Sequence, residues 1–97
     1  MSGKYTFSPR ARGDLEEIWS YTAERWAQTQ AESYMRTIQE AIESVAITPR
    51  RGRNCDEIRP GYFKLAVGSH IVFYRLTKSA IDVVRILHQR MDFTRHL

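Results

Sequence analysis

The chain has 97 residues and a formal net charge of +4, with 15 Lys and Arg against 11 Asp and Glu. This length predicts one domain, residues 1–97, with a modest core and no room for separate substrate and cofactor domains, which argues against an enzyme built on a large cofactor. This net positive charge suits an acidic partner, but it is lower than expected for a dedicated DNA-binding domain.

The cysteine and histidine content limits the kinds of protein to which the chain can belong. Cys55 is the only cysteine, which excludes an internal disulfide or thiolate cluster and favours a reducing compartment. His70, His88 and His96 are too scattered to indicate a metal site. No apolar run approaches the roughly 20 residues of a membrane span, and the N-terminus has no signal-peptide core. We therefore expect a cytoplasmic protein without membrane association, metal or cofactor.

The first helix is predicted over residues 9–27, after a short strand at residues 4–7. Ser8 can act as the N-cap, and Pro9 suits the first helical position because its φ is already set and it has no N–H to leave unpaired. The apolar residues then recur at three- and four-residue spacing, as expected of an amphipathic helix. They are Ala11, Leu15, Ile18, Trp19, Thr22 and Trp26.

A second amphipathic helix is predicted over residues 29–48. Thr29 and Glu32 have the spacing of a capping box, and Pro49 ends the helix by excluding the helical conformation at Thr48. The short link predicts an antiparallel helical hairpin, and we expect Trp19, Trp26 and Tyr34 to belong to the core. The apolar stripe of this helix is Ala31, Tyr34, Met35, Ile38, Ala41, Ile42 and Val45.

Residues 49–60 are predicted to form a loop, and they hold the densest basic cluster in the chain. Arginine side chains bind phosphates and carboxylates in bidentate fashion, so the cluster could contact nucleic acid or an acidic partner. The alternative is a solvated loop whose charges are balanced by Asp56 and Glu57. The cluster consists of Arg50, Arg51, Arg53 and Arg59.

Residues 65–67, 70–77 and 81–87 are rich in Val, Ile, Phe and Tyr and predict a three-stranded antiparallel meander. Gly68-Ser69 and Lys78-Ser79 separate the runs. With tight turns at both connections, the opposed residues are Val72 with Leu65 and Arg85, Phe73 with Lys64 and Val84, and Arg75 with Asp82.

This register divides the meander into two faces. The more apolar face is predicted to receive the helical hairpin, giving an α+β fold. It carries Phe63, Leu65, Val67, His70, Val72, Tyr74, Leu76, Ile81, Val83, Arg85 and Leu87. The other face would expose apolar side chains beside cations, which suits an acidic amphipathic partner segment. Its contact candidates are Lys64, Ile71, Phe73, Arg75, Val84 and Ile86.

Few residues indicate chemistry. His88 ends the last strand, where an imidazole could face a cleft and take part in acid–base catalysis, but that signal stands alone. Cys55 has no histidine near it in sequence to activate the thiol. Residues 89–97 form a polar segment, predicted as an irregular tail or a short final turn.

Several blocks of sequence resemble the ParE toxins, which belong to the wider RelE/ParE superfamily. The blocks run in order along essentially the whole chain: SPRA from Ser8, DLEEIW from Asp14, RW at Arg25, QAESY from Gln30, NCDEIRPGY from Asn54, GSHIVFYR from Gly68 and VVRILHQRMD from Val83. The resemblance implies a RelE/ParE-like fold and the toxin of a type II toxin–antitoxin pair, associated with plasmid maintenance. It also implies a ParD-like antitoxin as partner in a hetero-oligomer, and DNA gyrase as the target, stalled on cleaved DNA.

Under this resemblance the meander face described above becomes the predicted antitoxin-binding surface. The predicted target contacts are Arg85, His88, Arg90 and Arg59, with DNA reached only through gyrase or the antitoxin complex. Because Arg85 falls on the predicted core face, a structural ion pair is its alternative role.

The alternative within the superfamily is a ribosome-dependent mRNA interferase resembling RelE. Such an enzyme needs groups that activate a ribose hydroxyl and stabilise phosphate charge. Where those relatives place a basic residue early in the central strand this chain has Ile71, and no tyrosine follows the meander; only His88 and Arg90 remain. We therefore predict a binding toxin with no catalytic residues. A third hypothesis is an interaction module that presents a peptide groove, which growth arrest on expression would distinguish from both toxins.

Overall fold

The computed structural model describes residues 4–78 and 80–97 and shows a five-stranded sheet with a helical hairpin on one face. Its elements are β1 Lys4–Phe7, α1 Pro9–Arg25, α2 Gln28–Ile47, a 3-10 helix Pro49–Arg51, β2 Arg53–Asn54, β3 Tyr62–Val67, β4 His70–Leu76, β5 Ala80–His88 and α3 Phe93–His96. The strand order is β1-β5-β4-β3-β2, with β1 parallel to β5 and the other pairs antiparallel. The predicted α+β class, with an N-terminal strand, a hairpin and a meander, is confirmed.

The start of α1 agrees with its sequence signal, and the start of α2 does not. The Ser8 hydroxyl accepts a hydrogen bond from the Ala11 N–H at 3.0 Å, and Pro9 occupies the first helical position. Helix α2 begins one residue before Thr29, with Ala27 as an N-cap that makes no side-chain bond. The predicted capping box is therefore wrong, because Thr29 already lies inside the first turn.

A β-bulge at Val84 changes which side chains of β5 face the hairpin. The register agrees with the prediction where Arg75 lies opposite Asp82, but it shifts between Phe73 and Tyr74. Phe73 then lies opposite Arg85, and Val84 has no partner in the register. Because one extra residue reverses the direction of every later side chain, the predicted faces are wrong beyond Val84.

The main core lies between the hairpin and the sheet and includes Ile86, which the prediction placed on the opposite face. Its other buried members are Ala11, Ile18, Ile38, Ile42, Val45, Ala46, Phe63, Val67, Val72, Tyr74, Ile81 and Val83. Leu87, predicted in this core, lies on the other face with Phe73 and Cys55. The half-buried residues that pack against this second cluster are Ile58, Tyr62, Ile71, Phe93 and Leu97.

The segment predicted as a loop contains the 3-10 helix and strand β2, which extends the sheet. The buried Tyr74 hydroxyl holds it in place by donating to the Pro49 carbonyl at 2.7 Å and accepting from the Gly52 N–H at 3.0 Å. The segment after β5 ends in α3, a final turn of the kind the sequence allowed, with Asp92 as its N-cap. The predicted Lys78-Ser79 turn includes Ser79, which lies outside the described residues.

The large aromatic residues of the hairpin are more exposed than predicted. Trp26 is 73% exposed and Trp19 is 37% exposed, so their assignment to the core is wrong. Tyr34 is half-buried and packs against the main core. The hairpin therefore buries mainly aliphatic residues, and its aromatic side chains lie near the surface.

Candidate functional site

Two adjoining clefts lie where the end of the sheet meets the helical hairpin. Their volumes are about 470 Å³ and 530 Å³, and Tyr21, His70 and His88 line both. The larger cleft opens between the hairpin and the β3–β4 turn, where it is lined also by Thr22, Arg25, Trp26, Gln30, Tyr34 and Ser69. Two of the exposed aromatic side chains thus border one concave surface that contains both imidazoles.

Tyr34 joins α2 to the β3–β4 turn through its hydroxyl. The hydroxyl oxygen lies 2.6 Å from His70 Nδ1 and 3.2 Å from the Val67 carbonyl oxygen, and it accepts a hydrogen bond from the Ser69 N–H at 3.1 Å. Gly68 has φ +57°, and a Cβ at this position would lie 2.7 Å from the Tyr34 ring. A left-handed glycine is therefore what allows the turn to approach the tyrosine so closely.

Burial shifts the ionisation of this pair away from charged forms. It raises the pKa of Tyr34, although the hydrogen bond from Ser69 opposes the shift. Burial also lowers the pKa of His70, and the neighbouring His88 lowers it further, while Asp14 acts in the opposite direction. The two imidazole rings are edge-to-face, with centroids 5.4 Å apart. At neutral pH both Tyr34 and His70 are therefore uncharged.

Arg85 is committed to the fold by a bidentate ion pair with Asp14. Its Nε and Nη2 each lie 2.8 Å from a carboxylate oxygen of Asp14, and its Nη1 donates to the His96 carbonyl at 3.0 Å. The carboxylate also accepts from the Ile86 N–H at 2.9 Å. This pairing, with burial acting against it, raises the pKa of Arg85. Of its two predicted roles, the structure supports the structural ion pair.

The sequence assigns the chain to a protein family. A family model described as the ParE toxin of the type II toxin-antitoxin system, parDE, matches residues 5–93. The chain belongs to the ParE toxin family. Toxin ParE1 of Mycobacterium tuberculosis strain H37Rv is 58% identical over 98 residues, covering 100% of both chains. Toxin ParE1 of Caulobacter vibrioides is 42% identical and covers 96% of both.

Two solved structures support the ParE-like fold. A chain of the chromosomal ParDE TA system from P. aeruginosa gives a TM-score of 0.77 at 17% identity, covering 89% of this chain and 95% of that one. A chain of the YoeB-YefM complex from Staphylococcus aureus gives a TM-score of 0.57 at 16% identity, covering 90% and 97%. At these identities both likenesses concern the fold alone.

The predicted target contacts of this ParE toxin do not lie together. His88 lines both clefts, and its Nδ1 accepts a hydrogen bond from the N–H of the exposed Arg90 at 3.2 Å. Arg59 lies with the second apolar cluster, where its Nη1 donates to the Leu97 backbone oxygen at 2.6 Å and its guanidinium lies over the Tyr62 ring. His88 therefore lines the clefts, Arg90 lies beside it without lining either cleft, and Arg59 lies on another surface.

The predicted antitoxin contacts divide by exposure. Phe73 and Ile86 are 0% and 3% exposed, so the exposed positions predicted for them are wrong. The bulge turns Ile86 into the main core. Phe73 is buried in the second cluster, where its ring packs against that of Phe93. Lys64, Ile71 and Val84 are half-buried. Arg75 is exposed and pairs with Asp82 at 3.3 Å, as its register predicted.

The cleft residues that the sequence did not indicate are Tyr21, Arg25, Tyr34 and His70. His70 directly follows the Gly68-Ser69 turn, which was a usable signal that it lies at the end of the sheet. Tyr34 gave none, because it belongs to an ordinary apolar stripe and meets His70 only through the tertiary fold.

The described part of the chain offers neither a metal site nor a membrane-spanning helix. No group of three His, Cys, Asp or Glu residues there could hold a metal ion. No helix in that part is long and apolar enough to cross a membrane.

Proposed function

We propose that this ParE toxin binds DNA gyrase, stalls it on cleaved DNA and so blocks replication and growth, and that a ParD-like antitoxin neutralises it in a hetero-oligomer. Family membership over residues 5–93 carries the proposal, because the resemblance to ParE toxins implies this target and partner. A chain similar in fold comes from the chromosomal ParDE TA system of P. aeruginosa, which supports an antitoxin partner. The target would place the toxin in the cytoplasm, with DNA contacted only through gyrase or the antitoxin complex.

The clefts supply the surface on which the target would be held. Tyr21 is 58% exposed and Trp26 is 73% exposed at the edge of the larger cleft, and aromatic side chains are enriched at binding hot spots. Arg25 lies over the Tyr21 ring at 5.0 Å from its centroid. His88 and Arg90 add polar contacts at the same end of the sheet. This combination suits binding to a protein surface better than it suits a small substrate.

The decisive experiment combines a gyrase assay with a transcript assay. Purified toxin should inhibit supercoiling of plasmid DNA by gyrase and accumulate cleaved DNA, and premixing with the antitoxin should abolish both effects. Transcripts sequenced after induction should remain intact at the time replication stops. Codon-positioned mRNA cleavage that precedes any DNA damage would refute the gyrase mechanism.

One observation favours a second candidate, the RelE-like mRNA interferase. Tyr34, His70 and His88 bring a phenol and two imidazoles to one cleft, although no tyrosine follows the meander. Against it, the Tyr34 oxygen already has three polar neighbours that hold the turn. Tyr34→Phe distinguishes the two, because an interferase should lose about 100-fold or more of its cleavage rate, whereas a gyrase poison should keep most of its inhibition.

A further inference from the structure

A groove separate from the two clefts lies at the opposite edge of the sheet from β1, and three cationic side chains border it. We call it the basic edge groove. Its volume is about 410 Å³, and it is lined by Arg51, Gly52, Arg53, Lys64, Leu65, Ala66 and Ile71. The clefts described above share no lining residue with it.

The cations of this groove have no ion-pair partner among residues 4–78 and 80–97. The two ion pairs in that part of the chain are Arg75 with Asp82 and Arg85 with Asp14. Asp56, a carboxylate in the adjoining loop, is engaged locally, since its Oδ1 accepts the Gly61 N–H at 2.8 Å. The groove therefore presents positive charge to a partner.

The backbone at the floor of the groove is an incomplete sheet edge. Strand β2 pairs Arg53 with Lys64 and Asn54 with Phe63, and the chain before it turns away into the 3-10 helix. The Tyr62 carbonyl accepts from Cys55 on the β2 side. Along β3, the N–H and C=O groups of every second residue point to the same side, so those of Ala66 point in the same direction as those of Tyr62, towards the β2 side. Within the described part of the chain, no strand pairs with Ala66 there.

We propose that the basic edge groove binds an extended acidic segment of the antitoxin, which adds as a strand beside β3 and pairs with the backbone of Ala66. Side chains on one face of such a segment would reach Arg53 and Lys64 beside Ile71, and those on the other face would meet Leu65, as in other cases of strand addition. Arg51 lines the same groove. A nucleic acid fits less well, because phosphodiesters offer no donor to the Ala66 carbonyl and gain nothing from an apolar floor. The identity of the partner rests on the proposed function, whereas the chemistry of the site does not.

A synthetic peptide of alternating glutamate and valine tests the site without the antitoxin. Titrated into the folded toxin, it should give saturable amide shifts centred on Lys64 and Ala66 and should slow hydrogen exchange of the Ala66 amide. The double variant Arg51→Gln/Arg53→Gln should weaken binding about 2- to 30-fold, because it removes two exposed charge contacts. Arg10→Gln/Arg12→Gln, at exposed positions of α1, is the matched control and should not change it.

Three comparisons keep the test specific. A lysine–valine peptide, and a glutamate–valine peptide N-methylated at alternate residues, should both bind far less well, since the first lacks the charge and the second cannot pair as a strand. Oligothymidylate binding in place of the acidic peptide would overturn the proposal in favour of a nucleic-acid site. Absence of peptide binding, or shifts confined to another surface, would overturn it while leaving the gyrase assay to decide the proposed function separately.

Discussion

The ion pair between Arg85 and Asp14 explains why a cation with a predicted role in binding became part of the fold. The side chains are only 14% and 10% exposed, and the carboxylate binds both the guanidinium and the backbone N–H of Ile86. Asp14 thereby satisfies an amide of β5 beyond the end of β1, where no strand could do so. One carboxylate fixes α1 to β5 and removes Arg85 from the surface.

The two ion pairs of the described chain should therefore differ in their contributions to stability. Asp14→Ala leaves a buried guanidinium without its partner and should lower the free energy of unfolding by roughly 3 to 5 kcal/mol. Arg75→Gln breaks the exposed pair with Asp82 and should cost at most about 1 kcal/mol. Urea unfolding of both variants measures the difference, and equal losses would show that burial does not set the value of these pairs.

His70 should make stability depend on pH below neutrality. Burial lowers its folded-state pKa below the usual 6.5, so the unfolded chain takes up a proton at a pH where the folded chain does not. Its contribution is present above pH 6.5 and is lost as the pH falls through that value towards the lower folded-state pKa. In urea unfolding, His70→Gln should lose less stability than wild type as the pH falls below 6.5. Parallel pH profiles would assign the dependence to other groups.

At the scale of elements, the two helix starts give a direct test of which cap signal is real. Ser8 caps α1 and also donates to the Val84 carbonyl at 2.6 Å, whereas Thr29 makes no cap bond in α2. Ser8→Ala should cost about 1 to 2 kcal/mol and Thr29→Ala only a few tenths. Thermal unfolding of the pair would reveal the reverse order if the capping box formed in solution.

The sequence predicted the elements better than it predicted the second half of β5. Ser8-Pro9 and Pro49 are local signals, and the β4–β5 register held at Arg75 and Asp82 because strand alternation defines it. The bulge at Val84 has no local signal, since Val83-Val84 reads as ordinary strand without glycine. It occurs where tertiary bonds from Ser8 and Asp14 reach β5, and such contacts cannot be read from neighbouring residues.

The candidate site was only half predictable for the same reason. His88 and Arg90 lie at the end of a predicted strand, and that position alone placed them at an edge of the sheet. Tyr34 meets His70 from a helix 36 residues earlier, so only the packing of α2 on the sheet brings the two together. When polar residues of a helix and a sheet face each other, their spacing along the sequence does not indicate the contact.

At the scale of the whole molecule, the aliphatic core and the exposed aromatic residues should have separable roles. Ile38 is 1% exposed between the hairpin and the sheet, and Ile38→Ala should cost roughly 2 to 5 kcal/mol. Trp26→Ala removes a side chain that is 73% exposed and should stay within about 0.5 kcal/mol of wild type. Urea unfolding compares them, and a large loss for Trp26→Ala would place that side chain in a buried contact in solution.

The mechanism predicts how activity should decline across the molecule as single contacts are removed. If the toxin acts by lodging against gyrase, His88→Ala and Arg90→Ala each remove one contact among many. Each should raise the toxin concentration for half-inhibition of supercoiling by a moderate factor, about 2- to 30-fold for losses near 0.5 to 2 kcal/mol. A general acid or base contributes about 100- to 10,000-fold, so a catalytic His88 would leave almost no activity.

Stability must be separated from contact in this series. Arg85→Ala should also reduce inhibition, but through unfolding, and its loss should scale with the folded fraction measured by circular dichroism. Arg10→Ala, at an exposed position of α1, is the control that changes charge without touching the clefts. A graded decline for His88 and Arg90 with unchanged folding supports binding, whereas complete loss in a folded His88→Ala toxin would contradict it and point to a chemical step in the cleft.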